Sequence, residues 1–350
     1  MTRLFLACLL AIVGTCAASN AATENPRRPA PGTPVDVTRQ FEGAAPLTTK
    51  KLTDFRMRDA CVLVDEKEQR YVIVAAGRGN TVRAYTSTDL VHWEGPHIVF
   101  EADATTWKDA EIRGIWAPEL HAYRGKYYLF LTFNTSTQHS EQWRNWLPRV
   151  KRASSILVAD SPLGPFKPFS DKPTLPEDMM TLDGTLWVED GVPWMIYCHE
   201  WVQIVVGTMA KIRLADDLSA TVDEPTRLFF ANDAPWAKRN DEYGSYVTDG
   251  PWLHRSKTDK LLMLWSGFGE GGYTVAVAES QSGTLAGPWV QQPEPVFTEH
   301  GGHPMLFRRF DGQLMMSLHM PNRPPEERIQ FFEMEDTGDT VRVLRKFPEG

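Results

Sequence analysis

One pattern occurs five times along this chain and constrains its fold more than any other feature: a strand, a turn bearing charge or glycine, then a second and more apolar strand. These apolar runs are Tyr71-Val72-Ile73-Val74, Tyr127-Tyr128-Leu129-Phe130, Trp194-Met195-Ile196-Tyr197, Leu261-Leu262-Met263-Leu264 and Leu314-Met315-Met316-Ser317, with starts 56, 67, 67 and 53 residues apart. The turns ahead of them read Lys67-Glu68-Gln69, Arg124-Gly125-Lys126, Asp190-Gly191-Val192, Thr258-Asp259-Lys260 and Asp311-Gly312-Gln313. Gly and Asp at these places supply hairpin geometry. A further strand-like run follows in each unit: Val82–Tyr85, Ile156–Ala159, Met209–Ile212, Val275–Ala278 and Ile329–Phe332. Three units then close on a turn and an aromatic, at Ser87 to Trp93, Ser161 to Phe166 and Leu285 to Trp289. Gly and Pro number 25 each, which favours many short elements over long helices. Five all-β units of roughly 55 to 65 residues, three or four strands each, predict a five-bladed β-propeller over residues 46–350. The unit is too long for one coil of a β-helix. A pair of stacked sandwiches gives no reason for five equivalent units.

Ahead of the repeats the sequence changes character. Met1-Thr2-Arg3 is a short basic start, Leu4 to Val13 is apolar, and small residues run from Gly14 to Ala21. Residues 1–21 therefore read as a secretory signal peptide, too short to span a bilayer, and the protein is expected to be secreted or periplasmic. A lipoprotein reading at Val13-Gly14-Thr15-Cys16 has Thr15 against it, a poor residue before a lipidated Cys. Residues 22–45 are rich in Pro and Ala and read as a linker. No other apolar run approaches membrane length, so no membrane span is expected. Lys and Arg total 37 against 45 Asp and Glu, a net charge of −8. Loss of Arg3 with the leader leaves 36 against 45, or −9. A nucleic-acid or anionic-membrane partner is not suggested. Cys8 and Cys16 lie in the leader, leaving Cys61 and Cys198. Two thiols allow at most one disulfide and no zinc framework. Both sit in strand-like apolar runs, as buried free thiols do. Twelve Trp fit a demanding core or an aromatic ligand site.

Counting back 11 or 12 residues from each apolar run lands on Asp59, Trp116, Asp183, Asp249 and His303. In a propeller these positions open the first strand of each blade, and first strands line the central axis. The count therefore predicts an axial pocket ringed by three acids, a Trp and a His. Clustered carboxylates repel one another and have no obvious structural use there. Paired carboxylates facing a sugar are what glycoside hydrolysis needs: one protonates the leaving oxygen and the other activates water. A third acid can tune the proton affinity of the first. Asp59 and Asp249, on blades one and four, face each other across the pocket, with room for a water and hence for inversion.

The residues around this ring resemble the motifs of glycoside hydrolase family 43, over nearly all of the chain after the leader. Arg58-Asp59-Ala60 resembles the first-blade motif, and Trp116-Ala117-Pro118-Glu119-Leu120 with Gly125-Lys126-Tyr127-Tyr128-Leu129 resembles the second. Leu182-Asp183-Gly184-Thr185-Leu186-Trp187-Val188-Glu189-Asp190-Gly191 resembles the third, and Gly301-Gly302-His303 the fifth. The resemblance implies that Asp59 is the general base and that Asp183 tunes the acid. It gives His303 an axial water or calcium ion, and it implies no organic cofactor. The implied substrates are terminal α-L-arabinofuranosyl, β-D-xylosyl or related furanosyl units, galactofuranosyl included, of plant-type oligo- or polysaccharide. Exo action is expected, since no accessory binding module fits in the chain. The retaining fructan-active propellers are set apart by a Glu-Cys acid motif that this chain lacks.

The fourth blade departs from the family. Its motif normally reads Glu-Gly-Pro and supplies the general acid, whereas this chain has Thr248-Asp249-Gly250-Pro251. Aspartate is one methylene shorter, and proton transfer tolerates little misplacement. Three readings stay open: Asp249 is the acid in a reshaped pocket, Glu200 of Cys198-His199-Glu200-Trp201 replaces it from a loop, or the propeller binds sugars without cleaving them. Trp116, Trp201 and Phe268 are candidates for stacking on a sugar ring, while Trp252 alternates inward as core. Trp143 and Trp146 lie in a polar insertion of blade two, as a rim subsite or as anchors of that loop. Gly267-Phe268-Gly269-Glu270-Gly271-Gly272 follows no β-to-α start, so it reads as a mobile pocket wall rather than a nucleotide loop. Arg328 is expected to reach the axial site.

Overall fold

A computed structural model describes residues 47–348. The expected leader and linker lie outside the described residues. The strands form five antiparallel sheets. Four consist of Ile112–Tyr123, Lys126–Gln138, Val150–Ala159 and Lys167–Pro168; Thr181–Glu189, Val192–His199, Thr208–Arg213 and Thr226–Phe230; Asp249–Arg255, Leu261–Gly269, Gly272–Ser280 and Trp289–Gln291; and Gly302–Arg308, Leu314–Met320, Arg328–Asp336 and Val341–Phe347. The first blade contains Cys61–Asp65, Arg70–Ala76, Thr81–Ser87 and His92–Glu101. A fifth strand, Thr48–Lys51, is added at its outer edge, where Thr48 pairs with Gly95 and Lys51 with His92. This edge strand was not expected. Each first strand touches the first strands of both neighbouring blades, and blade five returns to blade one. The ring is thus closed, and the fold is a five-bladed β-propeller.

The apolar runs that revealed the repeat are the second strands, and their burial explains why they stand out. Leu261, Leu262, Met263, Leu264 and Trp265 are all fully buried, as are Val72, Ile73 and Val74. A second strand is covered on both faces by adjacent blades, so its sequence is continuously apolar rather than alternating. The cores lie between blades: one cluster joins blades one, two and five, and others join two with three, three with four and four with five. In blades two and three the first hairpin turns on Arg124-Gly125 and Asp190-Gly191, whose four φ values lie between 46° and 80°. Such turns match the twist of the flanking strands. Cys61 and Cys198 are buried free thiols. Among the described residues the only α-helix is the single turn Trp201–Ile204, and no helix is long and apolar enough to cross a membrane.

Candidate active site

Each blade distorts its first strand at the axial end. In blade three Leu182 pairs with Cys198 but Thr185 with Ile196, so two residues face one. The same slip separates Trp116 from Glu119, Asp249 from Trp252 and Gly302 from Met305. The first residue inside each bulge has a left-handed backbone: Ala117 (φ 42°), Asp183 (55°), Gly250 (50°) and His303 (58°). Asp59 (50°) takes the same conformation just ahead of the first strand of blade one. Left-handed backbone costs roughly 1–2 kcal/mol for a non-glycine residue, and such strain tends to collect at functional sites. The bulges correct the expected ring. Asp59, Asp183 and His303 occupy one equivalent position, shared with Ala117 and Gly250. Trp116 and Asp249 stand one residue earlier. A count along the strand is uncertain by one residue wherever two residues oppose one.

A bulge leaves backbone amides without ladder partners, and the neighbouring blade supplies them. The amide of Asp183 donates to Thr132 Oγ1 (3.1 Å), and that of His303 to Ser266 Oγ (2.9 Å). Thr132 and Ser266 hold equivalent places, opposite Trp116 and Asp249 on the second strands. His319, opposite Gly302, is the blade-five counterpart. It turns toward blade one, where its Nδ1 lies 3.0 Å from Asp59 Oδ1. None of these three residues stood out in the sequence reading. Their signal is a polar residue near the end of an otherwise apolar second strand.

The carboxyl groups fall into two electrostatic settings. Burial raises the proton affinity of Asp59, but His303 and His319, and then Arg58, outweigh it, so its carboxyl is held far below the usual range. His303 Nδ1 lies 3.5 Å from Asp59 Oδ1 and 3.7 Å from Asp183 Oδ2. Arg58 Nε is 3.3 Å from Asp59 Oδ2, and its Nη2 donates to Asn322 Oδ1 (2.9 Å). Asp249 and Asp183 are pushed the other way. Burial raises Asp249 first and the charge of Asp183 second. Burial and the charge of Asp59 raise Asp183. Tyr273 OH donates to Asp249 Oδ2 (3.0 Å), and Gly250 N donates to Asp183 Oδ2 (3.0 Å). At neutral pH the site therefore holds one firmly ionised carboxylate beside two acids that retain protons unusually well.

These groups face a cavity of about 830 Å³. Asp59, Trp116, Asp183, Glu200, Trp201, Asp249, Phe268 and His303 all line it. Glu200 is not in an open loop, as was expected. It precedes the helical turn at Trp201, is buried, and bonds Arg152 Nη1 through both carboxyl oxygens. Arg152 also lies over the Trp116 ring at 4.1 Å, so this pair braces a cavity wall. Trp146 packs against Trp143, Trp201 and Tyr243, and its Nε1 donates to Val202 O (2.7 Å), anchoring the blade-two insertion. Phe268 sits on a tight hairpin in which Gly269 pairs with Gly272. Trp252 is half-buried against two of the cores and stacks on His121. Arg328 is not among the lining residues. Its Nη1 donates to the carbonyls of Pro325 and Glu327, and Arg56, Arg58, Arg78 and Arg83 line the cavity instead. His303 Nε2 is buried without a protein partner, which suits a hydrogen bond to water. Calcium prefers six to eight oxygen ligands, and the described residues hold no group of three His, Cys, Asp or Glu side chains placed for a metal.

The model for glycosyl hydrolases family 43 matches residues 50–338. The chain is 36% identical to the solved endo-arabinase from Bacteroides thetaiotaomicron VPI-5482, covering 84% of this chain and 96% of that one, with a TM-score of 0.71. A thermostable family-43 glycoside hydrolase (19% identity, 87% and 96% covered, TM-score 0.68) shares the fold. So does an α-L-arabinofuranosidase from Lactobacillus brevis (17%, 84% and 96%, 0.65). No curated protein matches the chain.

Proposed function

This chain belongs to glycosyl hydrolases family 43 and is a glycoside hydrolase, and from that premise we propose that it cleaves α-L-arabinofuranosyl linkages of a plant-type polysaccharide with inversion. The observation that carries the reading is the opposed proton affinity of Asp59 and Asp249 in one cavity. In this reading Asp59 takes a proton from water, whose oxygen forms the new bond to the anomeric carbon. Asp249 gives its proton to the glycosidic oxygen as that bond breaks. The cycle closes when Asp59 loses its proton to solvent and Asp249 regains one. Asp183 acts on Asp249 because its ionisation would raise the proton affinity of Asp249, and through its hold on the amide of the next residue, Gly250. His303, His319 and Arg58 keep Asp59 ionised. Glu200, bound on both oxygens by Arg152, positions the wall that carries Trp116 and is not the acid.

Exo action on terminal units is the expectation from the sequence, with β-D-xylosyl and galactofuranosyl units as further candidates. One observation favours internal cleavage of an arabinan chain instead: the 36% identical structure is an endo-arabinase. The two modes separate on linear arabinan, where exo action releases arabinose from the start and endo action releases a ladder of oligosaccharides. Nitrophenyl α-L-arabinofuranoside, β-D-xyloside and β-D-galactofuranoside test the sugar, and NMR of the first-formed anomer tests inversion. Retention of configuration, or full activity in Asp59→Asn, sinks the mechanism. A clear preference for xyloside or galactofuranoside sinks the substrate.

A further inference from the structure

We infer that the blade-one wall of the cavity is a subsite for a carboxylate-bearing sugar, a uronic acid residue of the same polysaccharide; the inference rests on the hydrolase reading above. Four arginines line this side: Arg56, Arg58, Arg78 and Arg83. Two are spoken for. Arg56 pairs with Glu327 at 3.0 Å, and Arg58 with Asp59 and Asn322. Arg78 and Arg83 have no ion-pair partner among the described residues. The Nε of Arg83 is buried with no hydrogen-bond acceptor, while the guanidinium hydrogen-bonds the hydroxyl of Tyr85, a neutral partner that supplies no compensating charge. A buried guanidinium N–H without an acceptor is costly, and here it borders the cavity where substrate must lie.

The local backbone is built around these side chains. Arg78 sits on the turn between Arg70–Ala76 and Thr81–Ser87, which Thr81 Oγ1 fastens by donating to the Arg78 carbonyl (2.8 Å). Arg83 lies on the second of these strands, between the fully buried Val82 and Ala84. A Cβ at Gly77 would meet Thr81 Oγ1 at 2.4 Å and Arg83 Nε at 2.8 Å, so glycine there leaves the guanidinium its present place. The chain as a whole is acidic, with a net charge of −8, and the axial side of the cavity carries Asp59, Asp183 and Asp249. Arg78, exposed on its turn, and Arg83, half-buried, are therefore two guanidinia without an acidic partner on one wall, a local exception that an anionic group would satisfy. Hydroxyls of a neutral sugar accept hydrogen bonds but supply no charge. A planar carboxylate supplies two acceptor oxygens and the charge together. Repulsion from the axial acids places the uronic acid on a sugar adjacent to the cleaved linkage rather than at it.

The test uses an arabino-oligosaccharide carrying one galacturonic acid residue and the same molecule with that carboxyl reduced to the alcohol. For wild type, kcat/KM is expected to favour the acid about tenfold, and the ratio should shrink as salt rises from low ionic strength to about 0.5 M. In Arg83→Gln, Arg78→Gln and the double variant the ratio should fall toward one, with unchanged thermal melts showing that they fold. A wild-type ratio near one, or a ratio that survives in the double variant, overturns the subsite. If wild type cleaves neither compound, the substrate reading has failed, and calorimetric binding of the same pair still decides the subsite: equal affinities overturn it, and tighter binding of the acid that is lost in the double variant upholds it.

Discussion

Replacing Gly250 with alanine tests whether the axial bulges hold the site together. Gly250 has φ 50°, and a Cβ there would lie 2.9 Å from Cγ, 3.0 Å from Cα and 3.0 Å from Nδ1 of His303. His303 cannot easily retreat, because it is buried and its amide is fixed to Ser266. The left-handed backbone costs alanine about 1–2 kcal/mol, and overpacking beside a rigid neighbour adds about 1–3 kcal/mol. A total of roughly 2–5 kcal/mol should lower Tm by about 3–8 °C in a chain of this size. Gly191→Ala is the control: its φ is 79°, but nothing lies within 4 Å of the added carbon, so it should lose only the backbone share. The two variants should also differ in rate. Displacing His303 disturbs its 3.5 Å and 3.7 Å contacts to Asp59 and Asp183, and misplacement of this kind costs about a hundredfold. Melting curves and kcat/KM on an arabinofuranoside measure both effects. Gly250→Ala melting with Gly191→Ala and keeping its rate within threefold would refute the role given to the bulge.

Further outcomes follow from the charges. Asp249→Asn should lose about 10²–10⁴-fold on an oligosaccharide but much less on a nitrophenyl glycoside, whose leaving group needs little protonation; equal losses on both substrates would remove Asp249 as the acid. Tyr273→Phe deletes a hydrogen bond that favours ionised Asp249, so Asp249 should keep its proton to higher pH and the alkaline limb of kcat/KM should move up; a downward move contradicts the assignment. Asp183 has a raised proton affinity in the fold, so its contribution to stability is present at low pH and is lost as pH rises. Asp183→Asn should therefore raise Tm relative to wild type at pH 8–9, by an amount that shrinks toward pH 4, while activity falls. Arg152→Gln strands Glu200 as a buried unpaired carboxylate, at a cost of about 3–5 kcal/mol. The double variant Arg152→Gln, Glu200→Gln should melt higher than Arg152→Gln alone, and a lower melt argues against the brace.

The propeller was legible in the amino-acid sequence, because burial writes its pattern along the strand. Each second strand is covered on both faces, so Leu261 to Trp265 and its four counterparts read as mostly apolar runs, and their number is the number of blades. It also brought Asp59, Asp183, Asp249 and His303 to one mouth, since strands of equal direction and spacing must end together. The edge strand Thr48–Lys51 left no such mark, being exposed along its length. The register inside the ring was fixed by the folded molecule. A bulge hides one residue from any count, which is why Trp116 and Asp249 stand a step before Asp59, Asp183 and His303. It alone paired Glu200 with Arg152, set Tyr273 against Asp249, turned His319 toward Asp59 and kept Arg328 off the cavity wall. Those relations join residues from 24 to 260 positions apart. Proton affinity depends on distances of a few ångströms through a partly dry interior, and such distances exist only after the blades have closed.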